Sequence, residues 1–141
     1  MLEYPMDTTR TIASLIVSDT ATRCPDVRFV FSHAGGTLIG VAGRLLGAEM
    51  TADNLARPAA PNSRLHHLRR FYYDTAGSAN AVNMQALKTL VGVSQIVFGT
   101  DAPFFDGAPQ VQGLQRAGFS TQELRGIERD NAARIVPRLA L

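Results

Sequence analysis

The sequence predicts an α/β fold built on a parallel sheet, and three observations carry that reading. Three short apolar runs, at 27–31, 71–73 and 96–98, are separated by stretches of helical periodicity. That alternation is the β-α-β pattern, which yields parallel strands joined by right-handed crossovers. The run Ile96-Val97-Phe98 carries no polar alternation, as befits a strand covered on both faces. Each run also ends in polar residues: Ser32-His33, Asp74-Thr75 and Thr100-Asp101. In a parallel sheet these ends share one edge, the edge on which α/β enzymes assemble their sites.

Taken in order, residues 7–23 read as a first helix, with Asp7 or Thr8 as N-cap and Ile12, Leu15 and Ile16 on one face. Cys24-Pro25 ends it, because the residue before proline is pushed out of the helical region. Val27–Phe31 is the first strand. The glycines of Ser32-His33-Ala34-Gly35-Gly36 then permit close backbone approach, and a helix follows over 37–46. Residues 49–63, with Pro58 and Pro61, read as a surface excursion, followed by a short helix over 63–69. Phe71-Tyr72-Tyr73 is the second strand. A helix over 78–91 presents Val82, Ala86, Leu87, Leu90 and Val91 on one face, and Gly92 stops it. After the third strand, 107–111 reads as loop and 112–117 as a short helix. Ser120-Thr121-Gln122-Glu123 is a capping box, with Phe119 and Leu124 placed for a hydrophobic staple. A last helix spans 131–138.

Composition narrows the class. The 141 residues suit one domain, and 45% hydrophobic with 18% charged residues describes a chain with a substantial core. No apolar run approaches the roughly 20 residues that cross a bilayer. The start of the chain lacks the basic-then-apolar pattern of a secretion signal, so a cytoplasmic location is expected. Cys24 is the single cysteine and is read as a packed thiol, which excludes an intrachain disulfide or a cysteine-built zinc site. The formal charge is only +2. The densest basic stretch holds Arg57, Arg64, Arg69 and Arg70 with His66 and His67, without stacking aromatics between them. It reads as a solvated face, with an Arg-rich nucleic-acid module as the minor alternative.

The candidate chemistry lies at the three strand ends. Asp101 follows Gly99 just past the third strand, where a carboxylate serves as metal ligand or general base. Capping of the turn before Pro103 is the competing reading. Turn chemistry gives no reason for a histidine after the first strand, so His33, with Asp74 and Asp101, marks a candidate site.

Several segments together resemble the amidohydrolase-related family, whose members include metal-dependent decarboxylases of the aminocarboxymuconate semialdehyde and aromatic hydroxyacid types. They are 25–36 ending in His33-Ala34-Gly35-Gly36, Gly43-Arg44, Phe71–Thr75, Ile96–Phe104 with its Gly99-Thr100-Asp101, and Asn131-Ala132. The resemblance implies the C-terminal part of a metal-dependent-hydrolase-type (β/α)₈ TIM barrel, incomplete on its own, with these strands as its sixth, seventh and eighth. Residues 4–137 would be the C-terminal portion of that domain and 138–141 a tail. Asp101 would bind a divalent metal, zinc or manganese, and shuttle a proton. His33 would act beside the metal, and Arg44 could hold a substrate carboxylate. For Asp74 a structural role is expected.

The implied activity is decarboxylation of a small aromatic or unsaturated carboxylic acid with the metal as sole cofactor, or hydrolysis. The family's His-x-His pair and its histidine after the fifth strand have no counterpart here, and both are expected before Met1. Weak metal binding by this chain alone follows. So do self-association or a missing N-terminal half, with a non-catalytic remnant or half-barrel as the alternative. Neither nucleic acid nor membrane is expected as a partner.

Overall fold

In the computed structural model, which describes residues 1–139, a small parallel sheet is wrapped by helices. Helix α1 (Glu3–Val17) and a single turn α2 (Thr20–Arg23) lead into β1 (Val30–Phe31). Helices α3 (Leu38–Leu46), α4 (Ala52–Leu55) and α5 (Arg64–Leu68) precede β2 (Tyr72–Asp74). Helix α6 (Ala81–Val91) crosses to β3 (Ile96–Val97), after which α7 (Gly107–Gln115), α8 (Thr121–Arg125), a π-turn (Gly126–Asp130) and α9 (Asn131–Ile135) follow. The strand order is β1-β2-β3, all parallel, with Val30 opposite Tyr72, Tyr73 opposite Ile96 and Asp74 opposite Val97.

The core lies between the sheet and α1, α3, α5 and α6. Ile12, Leu38, Leu65, Leu68, Met84 and Leu87 are fully buried there, each contributing roughly 1.5–3 kcal/mol by leaving water. Phe31, Phe71 and Tyr73 form a ring cluster, with Phe31 edge-on to Phe71 at 5.2 Å between centroids. Tyr73 is completely buried, and its hydroxyl donates to the Leu68 carbonyl at 2.9 Å.

Several expectations are corrected. The first helix begins at Glu3, not Asp7, and breaks after Val17, where Asp19 takes a left-handed φ of 62°. Pro5 falls in the opening turn, where its missing N–H costs no helical hydrogen bond. The same reason corrects 107–111 from loop to helix. Pro109 sits in the first turn of α7, and the Asp106 carboxylate caps it by accepting from the Ala108 N–H at 3.0 Å. Strands β1 and β3 are shorter than their apolar runs, and β2 is displaced by one residue, to Tyr72–Asp74. Val82 is exposed, and Met84 takes its place on the buried face of α6. The last helix stops at Ile135, and a three-ten turn spans Pro137–Leu139. Of the tail assigned to 138–141, Ala140 and Leu141 lie outside the described residues. The capping box at Ser120 and Glu123 forms as expected.

The sheet's edges also differ from a bare three-stranded sheet. The C-terminal segment hydrogen-bonds to the chain in and around β3. The Phe98 N–H donates to the Ile127 carbonyl at 2.9 Å, and the Asn131 side-chain amide donates to the carbonyls of Ile96 (2.6 Å) and Val93 (2.9 Å). Both residues of β3 are buried, whereas Val30 of β1 is 49% exposed. Within the arginine stretch Arg57 and Arg64 are exposed, as on a solvated face, and several guanidinium groups also bond to backbone carbonyls. Arg69 donates to the carbonyls of Leu55, Arg57 and Leu90, Arg64 to Leu45, and Arg70 to Ala21 and Pro25. These guanidinium groups close the ends of helices and turns.

His67 is buried on α5, with Nε2 3.0 Å from the Thr22 hydroxyl and Nδ1 without a partner among the described residues. Burial lowers its pKa below 6.5, helped by the neighbouring charges of His66 and Arg70. The fold therefore favours the neutral ring. Its stabilising contribution is complete above about pH 6.5 and is lost as pH falls through the lowered folded value. Urea midpoints measured from pH 7.5 to 5.5 are expected to fall for the wild type, and to fall less steeply for His67→Gln.

Candidate active site

The carboxyl ends of the three strands open into a cleft of about 1010 Å³. Val30, Phe31, Ser32 and His33 line it, together with Gly77, Ser78 and Asp101. Tyr4, Pro5, Thr8 and Thr11 of α1 form one wall, and Phe104 and Phe105 line the cleft beyond Asp101.

His33 and Asp101 face each other across this cleft. The closest approach is 4.0 Å, from His33 Nε2 to Asp101 Oδ2, and both side chains are partly accessible. Both residues have left-handed backbones, with φ of 55° and 64°. A non-glycine residue adopts this region only when its surroundings impose it. At Asp101 the turn is closed by the backbone: its carbonyl accepts from the N–H groups of Phe104 (2.9 Å) and Phe105 (3.3 Å). The carboxylate is thus not what closes the turn before Pro103, and it is directed at the imidazole instead.

His33 Nδ1 lies 2.9 Å from the carbonyl oxygen of Ala76. A carbonyl only accepts, so Nδ1 carries the proton, and in the neutral ring Nε2 presents its lone pair to Asp101. Asp74 does not line the cleft. Its Oδ1 accepts from the backbone N–H groups of His33 (2.8 Å) and Ala76 (3.0 Å). Burial raises the Asp74 pKa, against the lowering effect of those two hydrogen bonds and of the His33 ring. Arg44 is exposed on α3 and is not among the residues lining the cleft.

The loop carrying His33 is pinned by α1, an interaction the sequence reading missed. The Thr9 hydroxyl, buried, lies 3.0 Å from both the Gly35 carbonyl and the Thr37 hydroxyl, and accepts from the Thr37 N–H at 2.8 Å. Gly36, with φ of 72°, passes so close that a Cβ would fall 1.9 Å from the Pro5 carbonyl oxygen. Only glycine fits there. The signal for Thr9 was present in its spacing from Ile12 and Ile16, which puts a hydroxyl on the buried stripe. Ser78, also buried and lining the cleft, was likewise unmarked.

For a metal, the site offers one carboxylate oxygen pair and one imidazole nitrogen. Among the described residues no group of three His, Cys, Asp or Glu side chains is placed to hold an ion. A catalytic zinc site takes three protein ligands. The described residues alone fall short of that set.

Comparison with known proteins adds the following. The sequence model of the amidohydrolase family matches residues 2–138. Decarboxylase yanB of Aspergillus niger is 34% identical over 148 residues, an alignment taking in 100% of this chain and 40% of the relative. The 6-methylsalicylic acid decarboxylase acuB of Aspergillus aculeatus is 31% identical over 157 residues, covering 99% of this chain and 44% of the relative. The chain thus spans about two fifths of the length of these curated relatives. A dihydroxybenzoic acid decarboxylase from Polaromonas, solved with manganese and 2-nitroresorcinol, matches with a TM-score of 0.76 and 19% identity. That match covers 93% of this chain and 40% of the other, and it establishes likeness of fold.

The pinning of the His33 loop is testable. Thr9→Val keeps the side chain's shape and strands the Thr37 N–H and the Gly35 carbonyl. It is expected to lower unfolding free energy by about 1–3 kcal/mol in urea titrations, while Thr9→Ser, which keeps the hydroxyl, stays closer to wild type.

Proposed function

We propose, because this chain belongs to the amidohydrolase family, that residues 4–137 are the C-terminal portion of a metal-dependent decarboxylase acting on a small aromatic carboxylic acid. In this reading β1, β2 and β3 are the sixth, seventh and eighth strands of a (β/α)₈ barrel. The observation that carries it is the pairing of His33 Nε2 with the Asp101 carboxylate, 4.0 Å apart on the strand-end edge of the sheet. The names of the relatives support the substrate class: one is a 6-methylsalicylic acid decarboxylase, and a fold neighbour holds manganese with a nitroresorcinol.

Asp101 is the residue of this chain that would hold the divalent ion, manganese or zinc, with further ligands supplied from outside these residues. When bound, such an ion acts as a Lewis acid toward substrate oxygens. The remaining chemistry is proton handling. Decarboxylation replaces a carboxylate on carbon by a proton, and that proton needs a positioned donor. Asp101 and His33 form the pair able to hold and pass it, since the Nε2 lone pair faces the carboxylate while Nδ1 is committed to Ala76.

The test supplies the remainder of the barrel: this chain is co-expressed with the part of 6-methylsalicylic acid decarboxylase acuB that lies outside the matched stretch, and loss of 6-methylsalicylate is followed with manganese present. Asp101→Asn and His33→Asn are each expected to lower turnover by on the order of 10²–10⁴-fold. Turnover unchanged by either substitution would sink the assignment.

A second reading, a half-barrel that persists by association, is favoured by the apolar surface around the cleft. Val30, Tyr4, Phe104 and Phe105 are all substantially exposed, an apolar patch of the kind that marks an interaction surface. Size-exclusion chromatography of the 15.2 kDa chain is expected to show species larger than a monomer. A sharp monomer peak would contradict that reading.

A further inference from the structure

We propose that Asp74 is the positioning residue of this site, fixing His33 in its Nδ1–H tautomer by ordering the Ala76 carbonyl. The inference rests on reading His33 as the site's histidine, yet the tautomer is observable without any turnover.

One oxygen of Asp74 does two jobs. Oδ1 accepts the His33 backbone N–H at 2.8 Å, holding that residue in its left-handed conformation. It also accepts the Ala76 N–H at 3.0 Å, closing a tight turn two residues on from itself. That turn aims the Ala76 carbonyl back at His33, where it lies 2.9 Å from Nδ1. Backbone and ring of the histidine are therefore set by the same carboxylate, once directly and once through Ala76. The carboxylate is itself held in place. A Cβ at Gly99 would lie 3.0–3.1 Å from its Cγ, Cβ and Oδ2, so Asp74 is wedged against the exit of β3. A neighbouring Gly77, with φ of 60°, lies against the ring, its hypothetical Cβ 3.3 Å from Nδ1. Asp74 does not touch the reacting space. It determines which nitrogen of His33 is offered there, and a nitrogen with a lone pair is what a proton-accepting role needs.

The test is the tautomer of His33 in long-range ¹H–¹⁵N spectra of the metal-free chain at about pH 8, above the ordinary imidazole range. Only three histidines are present, and single substitutions assign them. Wild type is expected to show the Nδ1–H pattern for His33. Asp74→Ala is expected to give a mixture of both tautomers. Asp74→Asn keeps an oxygen able to accept both N–H groups, and is expected to restore the wild-type pattern. The His67 signals, from a ring packed against Thr22, report that each variant is folded. A wild-type His33 in the Nε2–H form would overturn the proposal. So would an unchanged tautomer in folded Asp74→Ala, or a shifted one in Asp74→Asn. Should Asp74→Ala fail to fold, wild type and Asp74→Asn still decide.

Discussion

The site depends on the carboxyl end of β2, the central strand, which ties the exits of both neighbours. Toward β1, Asp74 accepts the His33 backbone N–H. Toward β3, the fully buried Thr75 hydroxyl accepts the Gly99 N–H at 3.1 Å and donates to the Gly99 carbonyl at 3.0 Å. Two adjacent residues thus fix where the chain leaves the sheet on either side. His33 and Asp101, each held in a conformation that side chains rarely adopt, stand at those two exits. Removing the ties would leave strained backbone free to relax, and the distance between imidazole and carboxylate with it.

Much of this was legible in the sequence, and for definable reasons. Apolar runs ending in polar residues mark strands and their active edge, and the three ends do meet. Helices α3 and α5 fall within the expected stretches, while α6 starts at Ala81 rather than Ser78 because the Asn80 side chain caps it. The misplaced starts of α1 and α7 share one cause: a proline in the first turn reads as a break, although a helix accepts it there. In the arginine stretch a different detail was hidden. Composition records charge, but not that carbonyls at helix ends take up the guanidinium groups. The spacing of Thr9 marks a hydroxyl on the buried stripe, but its partners, Gly35 and Thr37, lie far along the chain and could not be read from it.

The sheet's two edges explain what the chain holds and what it lacks. Asn131 and Ile127 bond to the chain at β3 and just past it. On β1 the apolar Val30 faces the cleft half exposed, beside a wall of α1. A chain spanning two fifths of its relatives' length, with one carboxylate and one imidazole at the cleft, fits the C-terminal side of a larger site. On the proposed reading, His33 and Asp101 would handle the proton, and the other metal ligands would come from the part that completes the barrel.

The most direct measurement is a crystal of this chain soaked in millimolar manganese, with diffraction recorded at the manganese edge. The account predicts anomalous density at the Asp101 carboxylate, on the side facing His33 Nε2, with the Nδ1–Ala76 hydrogen bond intact. Density elsewhere, or an imidazole turned away from Asp101 with Nδ1 released from Ala76, would contradict it.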